Sequence, residues 1–253
     1  MYQNIDEFYN NECLEEERLN SGIGQIEYIT TMKYMKSLCP PNSNILDACA
    51  GTGIYAFQLA QLGHNVTAGD LVEINVEKIK EQNKKVNSLS EIYQGSILDL
   101  SRFKEESFDV VLNLGACYHL LDSVDRKKSI QECLKVLRKG GLYFMSYINR
   151  FANYIGHADE MNRDFGMFEK FLESGTVDNV FFCSTPEMVE SDIQESDLKI
   201  LHNIGTDGCI YNGDIINSMS DDTFERYMKV HLSNCEVKSI LGCSSHGLVI
   251  CTK

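Results

Sequence analysis

Nine residues constrain the fold of this chain most: Ile45-Leu46-Asp47-Ala48-Cys49-Ala50-Gly51-Thr52-Gly53. Two apolar residues run into an acid and then into a glycine-rich turn. A helix-like run from Ile54 to Leu62 follows at once and ends at Gly63. A second short strand, Asn65-Val66-Thr67-Ala68-Gly69, ends in Asp70. A strand, a tight turn and a helix N-terminus expose backbone N–H groups and let a ligand approach closely. An acid at the tip of the next strand can accept hydrogen bonds from ribose hydroxyls. The pattern predicts a site for a nucleoside-type cofactor.

Spacing alone leaves the cofactor open. Gly51-Thr52-Gly53-Ile54-Tyr55-Ala56 fits the dinucleotide pattern G-x-G-x-x-G/A, and Asp70 follows at about the distance that pattern expects. Asp47 argues against a dinucleotide, because a carboxylate just before the loop would crowd a pyrophosphate with like charge. It suits a cofactor bearing an ammonium group and a sulfonium. The segment resembles the first motif of class I S-adenosylmethionine (SAM) methyltransferases, an acid followed by G-x-G-x-G, with Cys49 standing where the first glycine is usual.

The resemblance runs from Asn44 to Ile148 and returns in the last strand. Tyr93-Gln94-Gly95-Ser96-Ile97-Leu98-Asp99-Leu100 resembles the family's third strand and adenine-contacting turn. Phe108 to Gly115 resembles the fourth strand, whose end faces the reacting methyl group. Ser129 to Arg138, Gly140-Gly141 and Leu142 to Ile148 resemble the helix, turn and fifth strand that follow. Each motif alone is weak; five in order at the right separations are strong.

The resemblance implies SAM as cofactor and a set of residues to hold it. Asp47 organises the glycine loop and the cofactor's amino group, with Ala48, Cys49, Ala50, Gly51 and Gly53 forming the turn. Asp70 takes the ribose, with Leu71 beside it. The Ile97 backbone serves the adenine, helped by Ser96 or Asp99. Asn113 is either a polar contact near the methionine end or sheet packing, and Leu114 follows it. His119, four residues after Gly115, is the candidate base; in some small-molecule methyltransferases the histidine of such a His-Leu pair assists proton removal, and in others it is structural.

The chain's order predicts an α/β fold: a doubly wound, seven-stranded, mostly parallel sheet. By resemblance its last strand, Gly247 to Cys251, is antiparallel. Val72, Val76 and Ile79 recur at helical spacing. Ile130, Cys133, Leu134 and Leu137 form an i, i+3, i+4, i+7 stripe that Gly140 stops. Thr185-Pro186-Glu187 reads as a helix start, Leu198 to Ile204 as a sixth strand, and Phe224, Tyr227, Met228, His231 and Leu232 as a helical stripe. We expect one domain over 1–253: an N-terminal lid at 1–36, the SAM-binding core at 40–150, a lid and substrate insertion at 151–183, and the rest of the core at 184–253 with a helical insertion at 209–243. Aromatics of the extra segments (Phe8, Tyr9, Tyr28, Phe151, Tyr154, Phe165, Phe168, Phe171) are candidates for an acceptor pocket or for lid packing.

Composition narrows the partners. Net charge is −14, with no basic stripe of the kind a duplex-binding surface needs. The longest basic cluster, Arg126-Lys127-Lys128, reads as a solvated helix face. A small-molecule acceptor is expected, on nitrogen or oxygen, and no nucleic acid. A nucleic-acid methyltransferase is the rival enzyme, although Asn113-Leu114-Gly115-Ala116 stands where a D/N-P-P-Y motif would be; a non-catalytic SAM-binding protein is the rival from another class. Ten cysteines include no C-x-x-C and no metal-spaced cluster, so no metal is expected. Cys117, Cys133 and Cys251 read as buried thiols of a cytoplasmic protein, and no apolar run is long enough to span a membrane. Among the other histidines, His157 sits by Asp159 and Glu160 in a solvated loop, His64 at the surface, and His202 and His231 in structural patterns. His246 precedes the last strand, and a place facing the pocket is one of its two readings.

Overall fold

The computed structural model describes residues 18–19, 22–157 and 163–253. Phe8 and Tyr9, the neighbours Asp159 and Glu160 of His157, and most of the N-terminal half of the 1–36 segment lie outside the described residues.

Four short parallel strands carry the motifs: β1 (Asn44–Asp47), β2 (Asn65–Asp70), β3 (Glu91–Gln94) and β4 (Phe108–Asn113). They lie side by side in the order β3-β2-β1-β4, all parallel. The connections are α2 (Ile54–Gln61) and α3 (Glu73–Val86); α1 (Gly22–Leu38) precedes the sheet. Beyond β4 come α4 (Ala116–His119), α5 (Ser123–Val136) and the long β5 (Leu137–Asn149), parallel to β4.

After β5 the chain forms α6 (Arg150–Gly156), α7 (Phe165–Ser174) and a hairpin of β6 (Thr176–Val177) and β7 (Phe181–Ser184). The hairpin attaches through β7 to the end of β5, and it adds two strands to the seven expected. Next come α8 (Pro186–Gln194), β8 (Lys199–Gly205), α9 (Gly213–Asn217), α10 (Asp221–Asn234), α11 (Lys238–Leu241) and β9 (His246–Thr252). β9 runs antiparallel between β5 and β8, as expected of a last strand.

Residue alternation explains the layers. Neighbours on a strand point to opposite faces, and the central strands are apolar at both because both faces are covered. Leu46, Val111 and Tyr143 face Ile130, Cys133, Val189 and Ile193, from α5 and α8. Ile45, Val110, Leu112 and Phe144 face Met35, Ala56, Phe57 and Ile79, from α1, α2 and α3. The outer side of α1 is covered in turn: Ile26 packs with Ile216 of α9 and Met228 of α10. His231 of α10 bonds through Nε2 to Thr30 Oγ1 at 3.0 Å. The 209–243 segment therefore braces α1 against the sheet.

Two expectations change. α5 ends at Val136 instead of at Gly140, and Leu137 is already extended, at φ −77° and ψ 128°. Gly140 sits at φ +70° near a register shift between β4 and β5, where an irregular strand needs a left-handed residue. The basic cluster also divides. Lys127 pairs with Glu195 at the surface, 2.7 Å away. Arg126 turns inward: its Nη1 donates to the Leu120 and Leu121 carbonyls, both at 2.8 Å, and its guanidinium lies 3.6 Å from the Phe182 ring centroid. The carbonyls that end the short α4 have no helical partners, so a cation there has a local use that charge patterning does not reveal.

Candidate active site

The ends of β1, β2 and β4 and the turns beyond them line a cleft open to solvent, the usual place for a ligand at the carboxyl ends of parallel strands. Its floor is the glycine turn. The Ala48 N–H donates to the Leu112 carbonyl at 3.1 Å and the Ala50 N–H to the Gly69 carbonyl at 2.9 Å, which splices the turn between both neighbouring strands. Gly53 opens α2 at φ +89°, and a Cβ there would lie 2.9 Å from the Phe57 ring. Sign and space together require glycine at that position.

Asp70 closes the arrangement. The Gly51 N–H donates to its Oδ2 at 2.8 Å, while the Val72 N–H and Asn75 Nδ2 donate to Oδ1 at 2.9 and 3.2 Å. Burial pushes its carboxyl upward, and these donors push it back; the net shift is upward. The Leu71 N–H bonds the carboxyl as well, and Asp70 lines the cleft, where a carboxylate can meet a ribose hydroxyl. The residues present fit a nucleoside.

Of the residues expected to hold the cofactor, Ala48, Cys49, Gly51, Asp70, Leu71, Ser96, Ile97 and Leu114 line this cleft, and so does His119. Asp47, Ala50, Gly53, Asp99 and Asn113 do not. Asp47 is buried under the turn at 1% exposure. Ala50 and Gly53 shape the turn, the Gly53 N–H closing onto the Ala50 carbonyl at 2.8 Å. Asp99 is exposed and accepts from the Ser101 N–H at 3.1 Å. Asn113 is fully buried; its Nδ2 donates to Tyr143 Oη at 2.9 Å, and Cys49 Sγ donates to its Oδ1 at 3.8 Å. It ties the sheet to the underside of the turn. Sequence reasoning passed over Val72, Gly95, Gly115, Ala116 and Leu120, which also line the cleft. All five adjoin residues that were singled out, so adjacency to a motif was the signal for them.

His119 ends α4. Its Nδ1 donates to the Val180 carbonyl at 3.1 Å, and its ring lies 5.0 Å from those of Tyr118 and Phe181. Burial holds the imidazole neutral, its pKa down to about 4. A bond to a carbonyl requires Nδ1–H, so the neutral ring keeps its lone pair on Nε2.

Comparison with known proteins agrees with this geometry. Residues 46–145 match the family described as "Methyltransferase domain". This stretch is similar to a methyltransferase domain. The ubiquinone biosynthesis O-methyltransferase of Roseobacter denitrificans is 29% identical over 133 residues, covering 50% of this chain and 52% of that protein. The glycine/sarcosine N-methyltransferase of Aphanothece halophytica is 30% identical over 107 residues, covering 42% of this chain and 40% of its own length. The chain thus spans about half the length of the curated relatives it matches. Among solved structures, a SAM-dependent methyltransferase from Thermotoga maritima superposes with a TM-score of 0.61 over 100% of both chains at 17% identity. One from Methanosarcina mazei gives 0.61 over 87% of this chain and 96% of its own, at 16% identity. The methyltransferase domain shares their fold, and SAM is the cofactor this family implies. Among the described residues there is no group of three or more His, Cys, Asp or Glu able to hold a metal ion, and no helix long and apolar enough to cross a membrane.

Proposed function

We propose that this protein transfers a methyl group from SAM to a nitrogen or oxygen of a small molecule. One observation carries the reading. The Asp70-anchored cleft shares the wall residue Leu114 with a second, smaller pocket lined also by Glu27, Tyr55, Tyr118, Ser146 and His246. A cofactor chamber beside a small polar chamber suits a donor and an acceptor that meet across one side chain. Relatives that methylate oxygen and relatives that methylate nitrogen support both acceptor types.

SAM supplies an electrophilic methyl group. The chain's part is to hold both partners and exclude water, and well-oriented bound pairs can recover roughly 7–11 kcal/mol of barrier. Asp70 would hold the ribose, the Gly51 turn the body of the cofactor, and Ser96 and Ile97 the adenine. His119, neutral and bonded to Val180, lines the cofactor cleft; a pKa of about 4 matches poorly with proton removal near neutral pH. The net charge of −14 supports a small acceptor over a nucleic acid. The described cysteines are free thiols, which supports a cytoplasmic setting. Glu27 and Thr31 of the 22–38 segment line the second chamber, and Val180 and Phe181 pack on His119 of the first; the two segments are proposed as the cover.

Calorimetry tests the cofactor: SAM and S-adenosylhomocysteine should bind in the micromolar range and NAD at least tenfold more weakly. Turnover of SAM to S-adenosylhomocysteine with a metabolite pool tests the enzyme. Tight SAM binding without turnover would return the chain to a non-catalytic binder, and tighter binding of NAD would overturn the reading altogether.

A further inference from the structure

We propose that the proton released by the acceptor is taken by His246, held as a base by Asp207, in the polar cavity beyond Leu114. The inference rests on the methyltransferase reading. Both residues lie far from the cofactor motifs: Asp207 follows β8, and His246 opens the antiparallel neighbour β9.

The geometry is that of an oriented imidazole. His246 Nδ1 lies 2.8 Å from Asp207 Oδ2, and Asp207 is buried, at 1% exposure. The His246 backbone N–H bonds both Asp207 oxygens at 3.1 Å, and Ser244 Oγ donates to Asp207 Oδ1. The carboxylate is therefore fixed from three directions. With Nδ1–H donated to Asp207, the ring lone pair sits on Nε2, and nothing among the described residues bonds that atom. His246 lines the cavity that adjoins the cofactor cleft. A buried carboxylate on Nδ1 of a histidine that lines a ligand space is the arrangement that lets an imidazole collect a proton.

The charges facing the ring favour that task. Glu27 of α1 brings a second carboxylate to 3.7 Å, itself paired with Arg18, whose Nη1 is 2.6 Å from Glu27 Oε2. Tyr55 and Tyr118 complete the titratable lining. Burial works against the imidazolium, but Glu27 and Asp207 outweigh it and Arg18 subtracts only in part, so the net shift is upward. A base is most effective when its pKa is near the working pH. His246 moves toward neutrality while His119 moves away from it.

The acceptor class follows. It carries an O–H or N–H whose proton must leave as its oxygen or nitrogen bonds the methyl carbon and that carbon's bond to sulfur breaks, with S-adenosylhomocysteine as the leaving group. That proton passes to Nε2, the positive charge is balanced by Asp207, and it is returned to water when the product departs. A thioether or a tertiary amine, with no proton to lose, would leave the pair idle.

Two measurements test this. In the first, NMR of histidine-labelled protein without ligand should show His246 titrating above 6.5 from an Nδ1–H tautomer. Asp207→Asn should lower that pKa. Titration at or below 6.5, or an Nε2–H tautomer, overturns the proposal without reference to any acceptor. The second compares His246→Gln with the native chain for SAM affinity and for SAM turnover on the metabolite pool. SAM affinity should be unchanged, which also shows that the variant folds. Turnover should fall by roughly 10²-fold or more, with the rise of rate with pH displaced upward. Should His246→Gln misfold, Asp207→Asn gives the same comparison at smaller amplitude. Full turnover by a folded His246→Gln overturns the base and leaves the methyltransferase reading intact, whereas absent SAM binding by the native chain overturns that reading.

Discussion

The Gly51 N–H donates to Asp70 Oδ2 at 2.8 Å, so the acid at the end of the second strand holds the glycine turn before any cofactor arrives. Asp70 thus shapes the turn, and the ribose contact proposed for it would use the same carboxylate.

The first prediction follows. Asp70→Asn replaces one acceptor oxygen by an NH₂ that must face a backbone N–H, either that of Gly51 or that of Val72. Hydrogen bonds to charged groups contribute roughly 1.5–3 kcal/mol. SAM affinity should fall about ten- to hundredfold, and denaturant unfolding should show a loss of about 1–3 kcal/mol. An unchanged affinity by calorimetry would place the ribose elsewhere.

A second prediction concerns pH. The His119 pKa is about 4 in the folded chain and near 6.5 when unfolded. Between these values the unfolded state binds the proton more readily, so the folded state loses stability as pH falls from 6.5 toward 4 and none above. His119→Phe keeps a neutral ring but leaves the Val180 carbonyl without its donor. The variant should be less stable by about 1 kcal/mol at pH 7.5, and the deficit should shrink or reverse at pH 5. A deficit constant across that range would mean that His119 is not buried as a neutral ring.

The divided basic cluster gives a third. Arg126→Ala removes two carbonyl contacts and the stack on Phe182, and should cost about 2–3 kcal/mol. Lys127→Ala breaks only an exposed pair and should cost less than about 1 kcal/mol. Equal effects in thermal melts would contradict the inward placement of Arg126.

A fourth concerns partners. Gel-shift titration with mixed tRNA and duplex DNA at low salt should show no complex below micromolar protein, given the net charge of −14. A tight complex that weakens steeply with salt would revive a nucleic-acid substrate.

Much of the cofactor half was legible in order along the chain, because its contacts are local. Gly51 and Asp70 are linked by one strand-helix-strand unit, and the alternation of Ile45 with Leu46 already reports a strand buried on both faces. Thr185 and Pro186 announced α8, and Thr185 Oγ1 accepts from the Met188 N–H at 3.3 Å. Asp99 and Asn113 were legible as motif positions but not in direction. One side chain turns to solvent and the other into the sheet, and only the packing around β4 decides that.

The acceptor side had no such local code. Glu27, Asp207 and His246 come from a helix before the sheet, the end of β8 and the start of β9, and no spacing relates them. They meet because β9 runs antiparallel against β8, which brings residues 39 positions apart within hydrogen-bonding distance, and because α9 and α10 press α1 onto the same edge. Local backbone chemistry, turn geometry and the alternation of apolar residues were enough to write the strand-turn-helix unit and its acid into the sequence. The partnership of a histidine with a distant carboxylate depends on burial and on strand register, which exist only once the chain has folded.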